Sequence, residues 1–337
     1  VADLTSIELC AGAGGQALGL ERAGFRHLAA IEIDPWACQT LRMNRDNPRV
    51  PKEHRWNVIE ADLFTFDPTV FEGLDVDLLA GGVPCPPFSI AGQQLGADDE
   101  RDLFPKALEM VEVIKPRAVM LENVRGLSQP RFDSYREGIL KKLDDLGYVP
   151  HWKLIKSSDY GVPQLRPRFI LIALRKELDE YFTWPDGIET PPTVGEALGS
   201  LMAERGWPGA EGWAEKANSI APTLVGGSKK HGGPDVGPSR ARAAWAKLGV
   251  RGSSIAEEAP GPEHPVDEAP RLTVRMGGVV QGFPKNWTFA GGKTAAWRQV
   301  GNAFPPPVAE ALGKAIAAAL RSARTEVEQA EELGKIA

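Results

Sequence analysis

The sequence predicts an α/β fold: a doubly wound, mostly parallel sheet with a smaller, loop-rich domain beside it. Three observations carry this. Short apolar runs alternate with helical patterns up to about residue 185, as parallel strands joined by crossover helices do. The first run is followed at once by Ala11-Gly12-Ala13-Gly14-Gly15 and then by a helical pattern. After about Trp184 the chain becomes rich in Gly, Pro, Trp and Ser, and regular order returns only near Trp297. The expected division is residues 1–185 plus 293–337 for the ordered part and 186–292 for the smaller domain.

Taken in order, segment 5–10 reads as a first strand and 16–23 as a helix. Strand, glycine loop and helix form the unit in which a ligand approaches the backbone at a helix N-terminus. The spacing is not Gly-x-Gly-x-x-Gly, and no Gly-Lys-Ser/Thr grips a phosphate. A second strand, 28–33, carries Glu32, about twenty residues after the glycine loop, where an acid can accept both hydroxyls of a ribose. Asp34 and Pro35 then cap and open a helix to about residue 44. Segment 57–62 is a third strand ending in Asp62, and 76–80 a fourth. A helix over 100–114 places Leu103, Phe104, Ala107, Leu108, Val111 and Ile114 on one face. The strand Ala118–Val124 is apolar until Glu122. A helix over 132–146 stops at Gly147, and strands follow at 149–155 and 169–174. A last helix covers 308–324, and the polar tail 325–337 is expected to fray. Open sheets bind ligands at the carboxyl ends of their strands. The glycine loop, Glu32, Asp62, Cys85 and Glu122 all fall at such ends.

Composition narrows the setting. Three cysteines in 337 residues make no disulfide framework, and no Cys-x-x-Cys or His-x-x-x-His suggests a metal. No apolar run is long enough to cross a bilayer, and the N-terminus has no signal-peptide pattern, so a cytoplasmic protein without a membrane partner is expected. The net charge of −6 argues weakly against nucleic acid, but the charges segregate. Between 218 and 252, six basic residues face only Asp235, a local balance of +5. That suits a phosphate-binding surface, and also a solvated loop.

The chemistry centres on Gly81-Gly82-Val83-Pro84-Cys85-Pro86-Pro87-Phe88-Ser89. Two glycines let the chain leave a buried strand sharply, and three prolines stiffen a loop holding one thiol. Glu122 offers a carboxyl in the same cleft. Arg166 and Arg168, two apart before a strand, are expected to point to one side and bind an anion or a carbonyl oxygen. The glycine loop with Glu32 and Asp62 suits a nucleoside cofactor without a polyphosphate. Together these suggest methyl transfer from S-adenosylmethionine to a carbon that must first be made nucleophilic.

At this point the sequence resembles the DNA cytosine-C5 methyltransferases of bacterial restriction–modification type, nearly end to end. Pro84-Cys85-x-x-Phe88-Ser89 is similar to their nucleophile loop and Glu122-Asn123-Val124 to their Glu-Asn-Val. Gln164-x-Arg166-x-Arg168, Arg271-Leu272-Thr273 with Gln281-Gly282-Phe283-Pro284, and Gln299-x-Gly301-Asn302-x-x-Pro305-Pro306 resemble three further motifs in family order. The resemblance implies an S-adenosylmethionine-dependent Rossmann-like fold with a target-recognition domain. It implies catalysis by Cys85, Glu122, Arg166 and Arg168, with Cys85 adding to C6 of a flipped cytosine. It also implies a cofactor site made of Cys10, Ala11, Gly12, Gly14, Gly15, Glu32, Ile33, Asp62, Leu63, Pro84, Leu103, Asn302 and Ala303, releasing S-adenosylhomocysteine. Double-stranded DNA is the implied partner, with contacts from Ser89, Gln93, Thr223, Leu224, Lys229, Lys230, Arg240 and Arg242. Segment 90–100 is expected to be a mobile flap, the protein a monomer, and a restriction endonuclease its companion at the same site. Cys10 stands where the family has a phenylalanine against the adenine, so Ile33 is expected to supply that contact from the other side. Two other readings are a tRNA cytosine methyltransferase, whose Cys-Phe-Thr motif is missing here, and an inactive DNA-binding module, which the intact Cys85 and Glu122 oppose.

Overall fold

The computed structural model describes residues 4–46, 48–84, 102–227 and 233–336. Seven strands, β1 (Leu4–Leu9), β2 (Phe25–Glu32), β3 (Val58–Glu60), β4 (Leu78–Gly81), β5 (Ala118–Val124), β6 (Tyr148–Lys156) and β7 (Pro167–Arg175), form one sheet. Its order is β3-β2-β1-β4-β5-β7-β6. The strands from β3 to β5 pair in parallel, and β7 is antiparallel to both β5 and β6. The linker between β6 and β7 is too short for a crossover helix, so that edge has to turn back on itself.

Strand alternation sorts the apolar side chains onto two faces. Leu79, Val119, Leu121, Leu171 and Ala173 join a core with helix α3 (Phe104–Ile114) and helix α4 (Asp133–Asp145). Leu78, Ala80, Met120, Ile170 and Ile172 join the opposite core with helix α1 (Gly15–Arg22) and the C-terminal helix (Pro306–Ile336). That helix runs to Ile336 where fraying was expected; its last stretch holds four glutamates, and Glu, like the Gln, Ala, Leu and Lys there, is a good helix former. Helix α2 (Pro35–Arg45) is capped by Asp34, whose carboxylate accepts from the Trp36 and Ala37 backbone N–H groups.

Segment 186–292 holds helices α5 (Val194–Ala203), α6 (Ala210–Lys216), α7 (Ser239–Lys247) and α8 (Val274–Val280). They surround a third core containing Trp207, Trp213 and Trp245. This core continues into Trp297 and Val300 of helix α9 (Lys293–Asn302), so the segment is bonded to the α/β part through shared apolar packing. The C-terminal helix is therefore α10. Chain direction diverges at β1, with β2 on one side and β4 on the other, and this switch point opens a crevice at the strands' carboxyl ends.

Candidate active site

A cavity of about 300 Å³ occupies that crevice. From β3 to β5 it is lined by Asp62 and Leu63, then Glu32 and Ile33, then Glu8 and Cys10, then Gly82 and Pro84, and finally Glu122. Asn302, Ala303 and Phe304 close it from the far end of the chain.

Glu32 is the best-anchored group. Its Oε2 accepts from Gly12 N at 2.7 Å, and its Oε1 accepts from Ile33 N at 2.9 Å and Asp34 N at 2.8 Å. Burial pushes its carboxyl up, and these three N–H donors oppose the shift. Cys10 lies beside it in a left-handed conformation (φ 51°). Burial, then the carboxylates of Glu32, Glu8 and Asp62, push the Cys10 thiol far up, so it stays protonated and packs. On the cavity floor Glu8 is 1% exposed and Gln16 3%. Among the described residues, Glu8 Oε2 and both amide atoms of Gln16 have no hydrogen-bond partner. Burial holds the Glu8 carboxyl well above its ordinary range.

At the other end, Arg168 Nε lies 2.5 Å from Glu122 Oε1, and both side chains are largely buried. The second oxygen of Glu122 overhangs Gly82, where an added Cβ would meet it at 3.2 Å. Asn123 Nδ2 donates to Val83 O at 3.0 Å, and Leu103 N donates to Pro84 O at 3.0 Å. These bonds fix where the thiol loop leaves and where the chain returns, beside Glu122. Cys85, Ser89, Gln93, the expected flap, Lys229 and Lys230 lie outside the described residues.

Of the expected cofactor residues, Cys10, Ala11, Gly12, Glu32, Ile33, Asp62, Leu63, Pro84, Leu103, Asn302 and Ala303 line the cavity. Gly14 and Gly15 do not line it; they serve packing. A Cβ on Gly15 would come within 2.1 Å of Phe304 O, so the first turn of α1 lies directly on the chain that closes the cavity. Ile33 reaches the cavity while remaining 57% exposed.

Two expectations need correction. Arg166 and Arg168 do not point to one side. Arg166 has φ 25°, so the chain turns just before β7 and the strand alternation does not extend back to it. Arg166 is 1% exposed, and its Nη1 and Nη2 donate to Leu224 O at 3.0 Å and Gly301 O at 2.9 Å. Burial, then the nearby Arg168 charge, lower its pKa, and Glu122 opposes them. Leu224, expected at DNA, is likewise buried in the third core. Thr223 is half-buried, whereas Arg240 and Arg242 on α7 are exposed, as are Lys247 and Arg251.

The cavity also includes groups the sequence reading missed: Glu8, Gln16, Asp34, Arg298, Gln299 and Phe304. Glu8 had a signal, since an acid inside an otherwise apolar strand is costly to bury. Gln16 had none, because a polar residue in a first helical turn is ordinary.

A Rossmann-like sheet, an acid ending β2, and a carboxyl–guanidinium pair beside a cysteine loop define a methyltransferase fold and site. The C-5 cytosine-specific DNA methylase family matches residues 4–318, and the chain belongs to it. It is 57% identical to the type II methyltransferase M.NaeI of Lentzea aerocolonigenes, over 94% of this chain and 75% of that protein. It is 51% identical to the type II methyltransferase M.NgoMIV of Neisseria gonorrhoeae, over 94% of this chain and 98% of that protein. A crystal structure of Spodoptera frugiperda DNMT2 shares the fold, with a TM-score of 0.64 and 18% identity over 93% of this chain and 99% of the other. The chain is a DNA cytosine-5 methyltransferase of restriction–modification type. Among the described residues no helix is long and apolar enough to cross a membrane.

Proposed function

We propose that this protein transfers a methyl group from S-adenosylmethionine to C5 of a cytosine flipped out of duplex DNA, using Cys85 as nucleophile. The observation that carries this reading is the Glu122–Arg168 pair at the cavity rim, next to the anchored start of the cysteine loop. The cavity residues fit the cofactor: Glu32 can accept from a ribose diol, and the unpartnered atoms of Glu8 and Gln16 await polar groups. When bound, S-adenosylmethionine supplies an electrophilic methyl group and leaves as S-adenosylhomocysteine.

Cytosine C5 is too poor a nucleophile on its own. The Cys85 thiolate adds to C6, and the C5–C6 electron pair becomes available at C5. Glu122 shares a proton with N3 as charge develops on the ring, and Arg168 orients Glu122. After C5 is methylated, water removes its proton and the Cys85 sulfur departs, restoring the ring. Inside a duplex C5 is out of reach, so the base must leave the stack at a cost of a few kcal/mol. Segment 186–292 is the target-recognition domain in this reading. Arg240 and Arg242, with Lys229 and Lys230, meet phosphates, and Thr223 adds a further DNA contact. The protein acts as a monomer in the cytoplasm, and a restriction endonuclease cutting the same site is its companion, in keeping with the type II names of its relatives.

Single-turnover methylation of duplex DNA tests the assignment. Glu122→Gln is expected to slow transfer by about 10²–10⁴-fold with cofactor affinity retained. Cys85→Ser is expected to abolish transfer while DNA binding persists. Unchanged turnover in either variant would overturn the mechanism.

A further inference from the structure

Buried polar atoms without partners are costly, about 1–3 kcal/mol for each group, so they are rare unless something else satisfies them. Gln16 leaves both amide atoms in that condition and Glu8 leaves one oxygen. Both side chains are more than nine-tenths buried, and both line the cavity. By contrast, Gln164, Gln281 and Gln299, other buried glutamines of the site region, all have partners for both amide atoms.

Position says what Gln16 meets. Glu8 sits on β1 and Gln16 on the first turn of α1, which follows it. β1 lies between β2, which carries Glu32, and the β4–β5 pair, which carries Gly82 and Glu122. A ligand with its ribose at Glu32 and its reacting carbon toward Glu122 must cross β1 under the start of α1. What a sulfonium nucleoside bears there, besides its nucleoside and its methyl, is an amino-acid arm with one ammonium and one carboxylate. A primary amide is the neutral side chain that can serve both: its N–H₂ donates and its oxygen accepts. The first-turn N–H groups of a helix have no intrahelical acceptor and favour an anion in the same place.

We propose that Gln16 reads the amino-acid arm of the cofactor, donating from Nε2 to its carboxylate and accepting from its ammonium at Oε1, with Glu8 as a second ammonium acceptor. The assignment rests on the S-adenosylmethionine reading above. Gln16 is thereby a specificity residue that separates the complete cofactor from nucleosides lacking the arm.

Calorimetric titration of the ligand-free protein tests this with two ligands, S-adenosylhomocysteine and 5′-methylthioadenosine, which keeps the nucleoside and thioether but has no amino-acid arm. Gln16→Leu is expected to weaken S-adenosylhomocysteine about tenfold and to change methylthioadenosine by less than about twofold. Gln16→Glu, which sets a carboxyl against a carboxylate, should weaken S-adenosylhomocysteine further. The thermal midpoint of the ligand-free Gln16→Leu protein should be unchanged or higher, since an unpartnered amide has been removed. Equal weakening of both ligands, or a lowered ligand-free midpoint, would show that Gln16 only packs, and the proposal falls. Should the wild-type protein bind neither ligand, the cofactor reading fails first and takes this inference with it.

Discussion

The cavity floor and the joint between the sheet and segment 186–292 are both buried, yet they treat their glutamines in opposite ways. In the joint, Gln164 Oε1 accepts from Leu224 N at 2.7 Å and its Nε2 donates to Gln281 Oε1 at 2.6 Å. Gln281 Nε2 donates to Val300 O at 2.6 Å. Arg166 bonds Leu224 O and Gly301 O, and its Nε has no partner among the described residues. On the floor, Glu8 and Gln16 have unpartnered atoms. The joint's amides are satisfied by its own chain and hold elements together, although Arg166 Nε and Trp245 Nε1 find no partner among the described residues; in the proposal above, the floor is completed by a ligand. Motif residues fall on both sides of this line, so membership in a family motif does not by itself mean contact with substrate.

The most forceful way to break the comparison is Arg166→Ala. It removes a buried guanidinium and strands two buried carbonyls from segments far apart in sequence. The expected loss is about 3–5 kcal/mol in urea unfolding, with cofactor and DNA binding failing together. Arg168→Ala should cost far less stability while stopping methyl transfer, because its partner Glu122 is at the cavity rim. If Arg166→Ala were as stable as wild type and only slow in chemistry, Arg166 would belong with the catalytic groups after all.

A smaller effect comes from the floor. Burial holds the Glu8 carboxyl well above its ordinary value of 4.5. The native state therefore keeps a proton that the unfolded chain releases near pH 4.5. Between the two pKa values the native state binds more protons, so ligand-free stability falls as pH rises through that window and stays lower above it. Glu8→Gln should flatten this falling limb by at most about 1.4 kcal/mol per pH unit and stabilise the ligand-free protein at neutral pH. Urea unfolding across pH 4 to 8 would read it. A loss of stability in Glu8→Gln would mean that Glu8 has a partner in its charged form, as joint residues do.

What the sequence made legible follows the same division. The strand and helix pattern needs only local periodicity, so β5 over Ala118–Val124 could be read directly, and Glu32 and Asp62 could be placed at strand ends. The antiparallel edge follows from a linker length whose meaning depends on knowing which strands pair. The shared side expected of Arg166 and Arg168 failed because two-residue spacing promises it only within a strand, and the φ of 25° at Arg166 interrupts the strand. Leu224 was misassigned because its place in the core depends on Gln164 and Arg166, about sixty positions earlier in the chain. Gln16 could not be found from sequence at all, since being without a partner is a property of three-dimensional surroundings.

The finest distinction lies at Asp34, which belongs to both regions. Its Oδ1 accepts from Trp36 N at 2.9 Å and Ala37 N at 3.3 Å, capping α2. Its Oδ2 lies 3.6 Å from Arg298 Nη2 across the cavity mouth, with both side chains about one-fifth exposed. Asp34→Asn keeps an amide oxygen for the cap and removes the charge facing Arg298. Asparagine caps about as well as aspartate, and a long, partly solvated ion pair contributes little. The expected cost is below about 1 kcal/mol, against about 0.5–2 kcal/mol for Asp34→Ala, which loses the cap as well. Urea unfolding of both variants separates the two roles. Equal losses would mean that the link to α9, rather than the start of α2, is what Asp34 holds, and Asp34 would then count with the joint.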